Sequence, residues 1–283
     1  MSQLPPGERG YAMVAAVAAI ALFASLALVL VTGTRGGVVM AGAERDRAEA
    51  GAAADAGLAM ALRGLAGSGA LGAWPIDGRV RNETFGPAKL AIRIEDERGK
   101  LPINLLEETQ VQRLLERAGL RSERLAIATD SLNDWLDEDD QLRAFGAERD
   151  WYVSRGIVPR NGPLVSVEEL SAIRGFDAAL VDRLRPIITL HWGGGPFEPR
   201  YASLDAIAVM SEDGEDPVAQ IERARELAGQ VTALSFNVEG GLVGRPLTVT
   251  VDATMPDGAH AVRRTLVELT GSSARPYVLR KVD

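Results

Sequence analysis

A chain of 283 residues is long enough for one or two domains with a substantial core, and 31 Lys and Arg against 39 Asp and Glu give it a net charge of −8. That acidity argues against a nucleic-acid backbone ligand, which requires clustered basic side chains. With no cysteine, the chain can hold neither a disulfide nor a thiolate-bound metal.

The first feature is apolar: Tyr11 to Thr34 is a run of 24 residues without a charge. As a helix it would measure about 36 Å, enough to cross a hydrocarbon core of about 30 Å. It is too long for the apolar part of a secretory signal, about 7–15 residues. Arg9 and Arg35 flank it, and a short N-terminus left in the cytoplasm is the easier topology. The sequence therefore predicts a membrane helix over 11–34 behind a ten-residue leader, 1–10. The Ala, Glu and Arg of AERDRAEAGAAADAGLAMALRGLAG continue the helix over 35–66, with Leu58, Leu62 and Leu65 as an apolar stripe. Gly33, Gly36 and Gly37 weaken its middle.

Turn-rich GSGALGAWPIDG leads to TFGPAKLAIRIEDERG, where Leu90, Ile92 and Ile94 alternate with Ala91, Arg93 and Glu95 as a half-buried strand. From about Lys100 to Trp192 the pattern is helical. Asn104 with Glu107 reads as a cap before Val111, Leu114, Leu115 and Ala118; Leu125, Ala128, Leu132 and Trp135 form a second face. Ser166 with Glu169 is a capping box ahead of Gly175, and Asp177 caps AALVDRLRPIITLHW, which Pro186 should end or kink. After GGGP at 193–196 come a helical stretch, 217–229, and strands in LSFNVEGGL, PLTVTVDAT, AHAVRRTLVEL and RPYVLRKV, with PDG at 256–258 as a turn. The economical arrangement is one α+β domain, 67–98 and 193–283, interrupted by an inserted all-helical domain, 99–192.

The chemistry is sparse. The only histidines are His191 and His260, and neither stands in a Ser-His-Asp pattern; the glycines form no phosphate loop. The acidic stretch NDWLDEDDQLRAFGAERDWY is denser. Hard divalent cations, calcium above all, take 6–8 oxygens from such loops. Asp137, Asp139 and Asp140 at a helix end, with Glu148 and Asp150, can supply them, though a solvated acidic loop has the same composition. VSVEELSAIRGFDAALVDRL has the form of a helix-hairpin-helix. In DNA-binding versions the hairpin amides hold a phosphate. Here Arg174, Arg183 and Arg185 are outnumbered by Glu168, Glu169, Asp177 and Asp182, which favours a packing role.

A short leader ending in GERG, an apolar run beginning YAMVAAV and a long helix resemble the start of type IV pilins and pseudopilins. The resemblance implies cleavage by a prepilin peptidase between Gly10 and Tyr11, with methylation of the new terminus. Members usually carry Glu at the fifth mature residue, where this chain has Ala15. A carboxylate in lipid needs a partner; in the family that partner is the terminal amine of the subunit ahead. Its loss marks a subunit with nothing ahead of it. With EDERGKLPINL, SLNDWLDEDD, GAERDWY and LVSVEELSAIRGF, the chain resembles the minor pseudopilin K family of type II secretion. That resemblance implies a pilin-like antiparallel sheet carrying a large helical insertion, and calcium bound by the acidic loop. It further implies a non-enzymatic subunit at the pseudopilus tip, single-pass in the inner membrane, its C-terminal bulk in the periplasm. Its partners would be the I and J minor pseudopilins, the major pseudopilin and the peptidase, with no nucleic acid. A different reading is a membrane-tethered DNA receptor built on the hairpin.

Overall fold

The structure, a computed structural model, describes residues 8–66, 74–211 and 241–281, with side chains in the first segment at 13–27 and from Met40 onward. Helix α1 runs Glu8–Ala66, continuous through Gly33, Gly36 and Gly37. Met13, Val14, Val17, Ile20, Leu22, Phe23 and Leu26 stand exposed along it. Among the described residues no helix is long and apolar enough to cross a membrane.

The last turns of α1 lie on a five-stranded antiparallel sheet of order β1-β2-β5-β6-β7. Its strands are β1 Arg81–Phe85, β2 Ala88–Asp96, β5 Pro246–Thr254, β6 His260–Leu269 and β7 Tyr277–Lys281. Leu90, Ile92 and Ile94 of β2 are 1–2 % exposed, so the alternation read from the sequence is the buried face. They join Leu247, Val249, Val251 and Val267 beneath Ala53, Ala54, Ala61, Leu62 and Leu65 of α1. The stripe of α1 is thus made largely of small residues, with Leu58 at its margin, and the helix sits close to the sheet. At Gly57 a Cβ would lie 2.5 Å from Val251 Cγ1. Gly57→Ala should therefore lower stability by about 1–3 kcal/mol, through overpacking rather than lost contact. A urea melt measures it, and Val251→Ala in the same chain should recover part of the loss.

The chain leaves the sheet at the end of β2 and returns at β5, its immediate neighbour, so the described residues between Glu97 and Arg245 form an excursion between two adjacent strands. Its neck is a parallel pair, β3 Leu101–Pro102 with β4 Ile188–Thr189. Beyond it, α2 Glu108–Arg117, α3 Ser122–Leu136, α4 Arg149–Val153 and α5 Ala178–Leu184 close around a second core that includes Leu114, Leu115, Leu132, Leu170, Leu180 and Leu184. Helix α6, Leu204–Met210, adds Ala206, Ile207 and Val209 to that core.

Several local expectations change. The cap of α2 is Glu107, boxed with Gln110. Asn104 is instead used over long range: its Nδ2 donates to Leu164 O and its Oδ1 accepts from Leu164 N, both at 2.9 Å. Asp177 caps α5 as expected, accepting from Leu180 N at 2.8 Å. Pro186 ends α5, and the residues after it form β4 rather than more helix. The Ser166–Glu169 box is present, but it opens a 3-10 turn, Val167–Ala172. The leader residues 1–7, the turn residues 67–73, the 217–229 helix and most of LSFNVEGGL lie outside the described residues.

Candidate metal centre

The acidic loop begins where α3 ends and is pinned from three sides. Asp130 Oδ2 accepts from Phe145 N at 2.9 Å. Arg174 Nη1 donates to Gly146 O at 2.8 Å. Asp134, fully buried in α3, accepts from Arg143 Nη1 through Oδ1 at 2.7 Å. The loop passes so near Asp134 that a Cβ on Gly146 would lie 1.9 Å from Oδ2; only glycine fits there. Behind Asp134, Trp135 and Tyr152 meet edge to face with centroids 5.0 Å apart. Burial pushes the Tyr152 hydroxyl up to about 12.

This packing brings carboxylate oxygens of Asp137, Asp139 and Glu148 within 4.8 Å of one another. Asp140 and Asp150, named with them from the sequence, are not in the group. Asp140 is exposed, with Oδ1 3.4 Å from Asn161 Nδ2; Asp150 is exposed in the first turn of α4. Three oxygens in the group are buried without a hydrogen-bond partner: Asp137 Oδ1, Glu148 Oε1 and Glu148 Oε2. Desolvation, reinforced by the charges of Asp134, Asp137 and Asp140, pushes the Glu148 carboxyl up to about 7. Burial likewise raises Asp134, against its bonds to Arg143. A hard divalent cation supplies what such oxygens lack: positive charge and coordination without a donated proton. The residues therefore fit calcium.

The sequence did not distinguish Asp134 and Arg143 as a pair. Arg143 is the only basic residue between Asp130 and Glu148, and that isolation was the available signal. Burial would lower the pKa of its guanidinium, but the bonds to Asp137 and Asp134 prevail and raise it.

The hairpin is turned inward. Gly175, at φ +91°, packs where a Cβ would lie 3.0 Å from Ala128 Cα. Its arginines are engaged: Arg174 at the acidic loop, Arg183 with Ala118 O at 3.0 Å, Arg185 with Glu168 at 2.7 Å. His260 Nε2 lies 2.8 Å from Asp252 Oδ1 at an exposed strand end. Gly10 and Tyr11 lie within the backbone of α1, and Ala15 is exposed on it.

One long helix on an antiparallel sheet, with a helical domain bearing an acidic, cation-fitting loop set between two neighbouring strands, defines a mixed α+β subunit with two cores. Residues 92–192, which include most of the helical domain, match the family model described as type II secretion system (T2SS), protein K. The chain is 33% identical over 132 residues to type II secretion system protein K of Klebsiella pneumoniae, covering 44% of this chain and 40% of that one. It is 48% identical over 60 residues to the protein K of Dickeya chrysanthemi, covering 21% and 16%. Each match thus spans less than half of the curated relative's length. In fold it is similar to a chain in the crystal structure of the GspK-GspI-GspJ complex from the enterotoxigenic Escherichia coli type 2 secretion system. The TM-score is 0.53 at 16% identity, covering 88% of this chain and 99% of that one. The resemblance to the protein K family read from the sequence is therefore borne out over residues 92–192, the stretch that the family model matches.

Proposed function

We propose that the chain is a non-enzymatic minor pseudopilin of type II secretion, seated at the tip of the pseudopilus, where it helps start the filament that drives protein export. The observation that carries this reading is the protein K helical domain placed as an insertion between β2 and β5. It leaves the long helix and the sheet free to meet sibling subunits while adding bulk that a stacked position could not accommodate. The similarity to a chain solved in a complex with GspI and GspJ partners supports I and J minor pseudopilins as neighbours. The major pseudopilin below them and the prepilin peptidase complete the set of partners.

In this reading residues 11–34 anchor the chain once in the inner membrane, with the two cores in the periplasm. Cleavage after Gly10 makes Tyr11 the first mature residue, and Ala15 replaces the acid that a follower would pair with the subunit ahead. Asp137, Asp139 and Glu148 hold calcium, water and carbonyl oxygens completing its shell. N-terminal sequencing of membrane-extracted protein made beside its peptidase should give a start at Tyr11. An intact Met1, or a cut after the apolar run, would leave a plainly anchored protein and remove the pseudopilin reading. For the DNA-receptor alternative, a gel shift at low salt should show no retardation.

A further inference from the structure

Asp137 has two differently used oxygens. Oδ2 accepts from Arg143 Nη1 at 2.6 Å, while Oδ1 is buried and without a partner beside the carboxylates of Asp139 and Glu148. The same nitrogen, Nη1, also donates to Asp134 Oδ1 at 2.7 Å, and Arg143 N lies 3.4 Å from Asp134 Oδ2. Asp134 in turn is fully enclosed, and Gly146 backs directly onto it. The row Asp134–Arg143–Asp137 is thus anchored in the core at one end and open at the other.

We infer that Arg143 is a positioning residue: a built-in cation that ties one oxygen of Asp137 to Asp134, so that Asp137 offers only the other to a bound divalent ion. This rests on the calcium reading above and adds how the site is set. A carboxylate free to turn can chelate with both oxygens and displace a water. One held by a guanidinium coordinates through one and leaves the water in place. Arg143 also keeps Asp134 and Asp137 paired when no ion is bound, so the loop keeps its shape before binding. Because a single nitrogen makes both contacts, an ammonium carried by Lys can stand in; an uncharged side chain cannot.

The test uses the full chain in detergent, with terbium as a luminescent substitute for calcium. Lifetimes in light and heavy water count the coordinated waters. Arg143→Met is made together with Asp134→Asn, so that no buried charge loses its partner. The double variant should bind terbium with a water count lower by about one than the unmodified chain, as Asp137 becomes bidentate. Arg143→Lys should keep the unmodified count. An unchanged count in the double variant, or a folded double variant that binds no terbium, overturns the inference and leaves the calcium reading intact. Failure of the unmodified chain to bind terbium or calcium sinks both. Should the double variant not fold, side-chain ¹⁵N spectra of the unmodified protein decide the matter. The Arg143 guanidinium signal should remain hindered and shifted throughout a calcium titration; its release as calcium binds would show that the arginine is displaced.

Discussion

Arg245→Met should cost about 3–5 kcal/mol of folding stability, the cost of leaving a buried carboxylate without its partner. Arg245 stands immediately before β5 and reaches back to Asp96, the last residue of β2, with Nη1 2.6 Å from Oδ2. The Asp96 side chain is 0% exposed and that of Arg245 10%. Glu198, on the return path from the helical domain, lies 3.4 Å from Nη2. The pair therefore clamps the two points where the chain leaves and re-enters the sheet. Desolvation raises the pKa of Asp96 even with Arg245 and the Arg98 amide opposing it. Without the guanidinium that carboxylate must be buried charged and unpaired, or take up a proton.

The sign of the pH dependence follows. A folded pKa above the unfolded one means the native state holds a proton that the unfolded chain has released. Stability then falls as pH rises through that window and recovers as pH falls back below the unfolded value. The deficit of Arg245→Met should accordingly be largest near neutral pH and shrink on acidification, as read by urea melts from pH 7 down to pH 4. Adding Asp96→Asn should recover part of the loss at neutral pH and make the remaining deficit, relative to the unmodified chain, independent of pH. A single-variant deficit that stays constant with pH, or no recovery in the double variant, would mean that Arg245 matters for packing alone.

Asp96 and Arg245 are separated by 149 positions in the chain, and nothing local in the sequence joins them. What was legible locally was legible for physical reasons. Period-two alternation marked β2 and β5, the Asp-Gly turn placed the β5–β6 connection, and Asp177 and Pro186 set the ends of α5. Strand β1 was missed because RNETF shows no alternation: it is an edge strand, exposed at four of its five positions. Asn104 was misread because its amide serves Leu164, 60 residues away, rather than the helix beside it. In the acidic loop, composition identified a cation-fitting region but not its members. Which carboxylates converge depends on the turn that Arg143, Gly146 and Arg174 impose, and those contacts are tertiary. A fully buried Asp134 could be suspected only from its place beside Ser131 and Trp135 on the face of α3 that points inward.

Calcium should stabilise the chain strongly at pH 8 and much less below pH 6. In the cation-free protein Glu148 has two buried oxygens with no donor, and its carboxyl is pushed up to about 7 from an ordinary 4.5. Between those values the folded state holds a proton that the unfolded state lacks, so stability without calcium declines as pH rises through the window. Discounted for partial exposure, the effect is on the order of 2 kcal/mol. A bound divalent ion reverses the sign. It requires Glu148 ionised, so binding strengthens as the proton leaves and weakens as it returns. At a hundred times its dissociation constant calcium adds about 2.7 kcal/mol, more than restoring what deprotonation removed. Glu148→Gln has no proton to exchange and no charge to repel its neighbours. It should flatten the pH dependence of the cation-free protein, raise its melting temperature at pH 8, and lower calcium affinity at least about tenfold. Thermal melts at pH 5, 6, 7 and 8, with calcium and with chelator, separate the possibilities. If the unmodified chain melts at the same temperature with and without calcium at pH 8, the loop binds no cation. If calcium stabilises Glu148→Gln as much as the unmodified chain, the ion sits elsewhere and Glu148 is not a ligand.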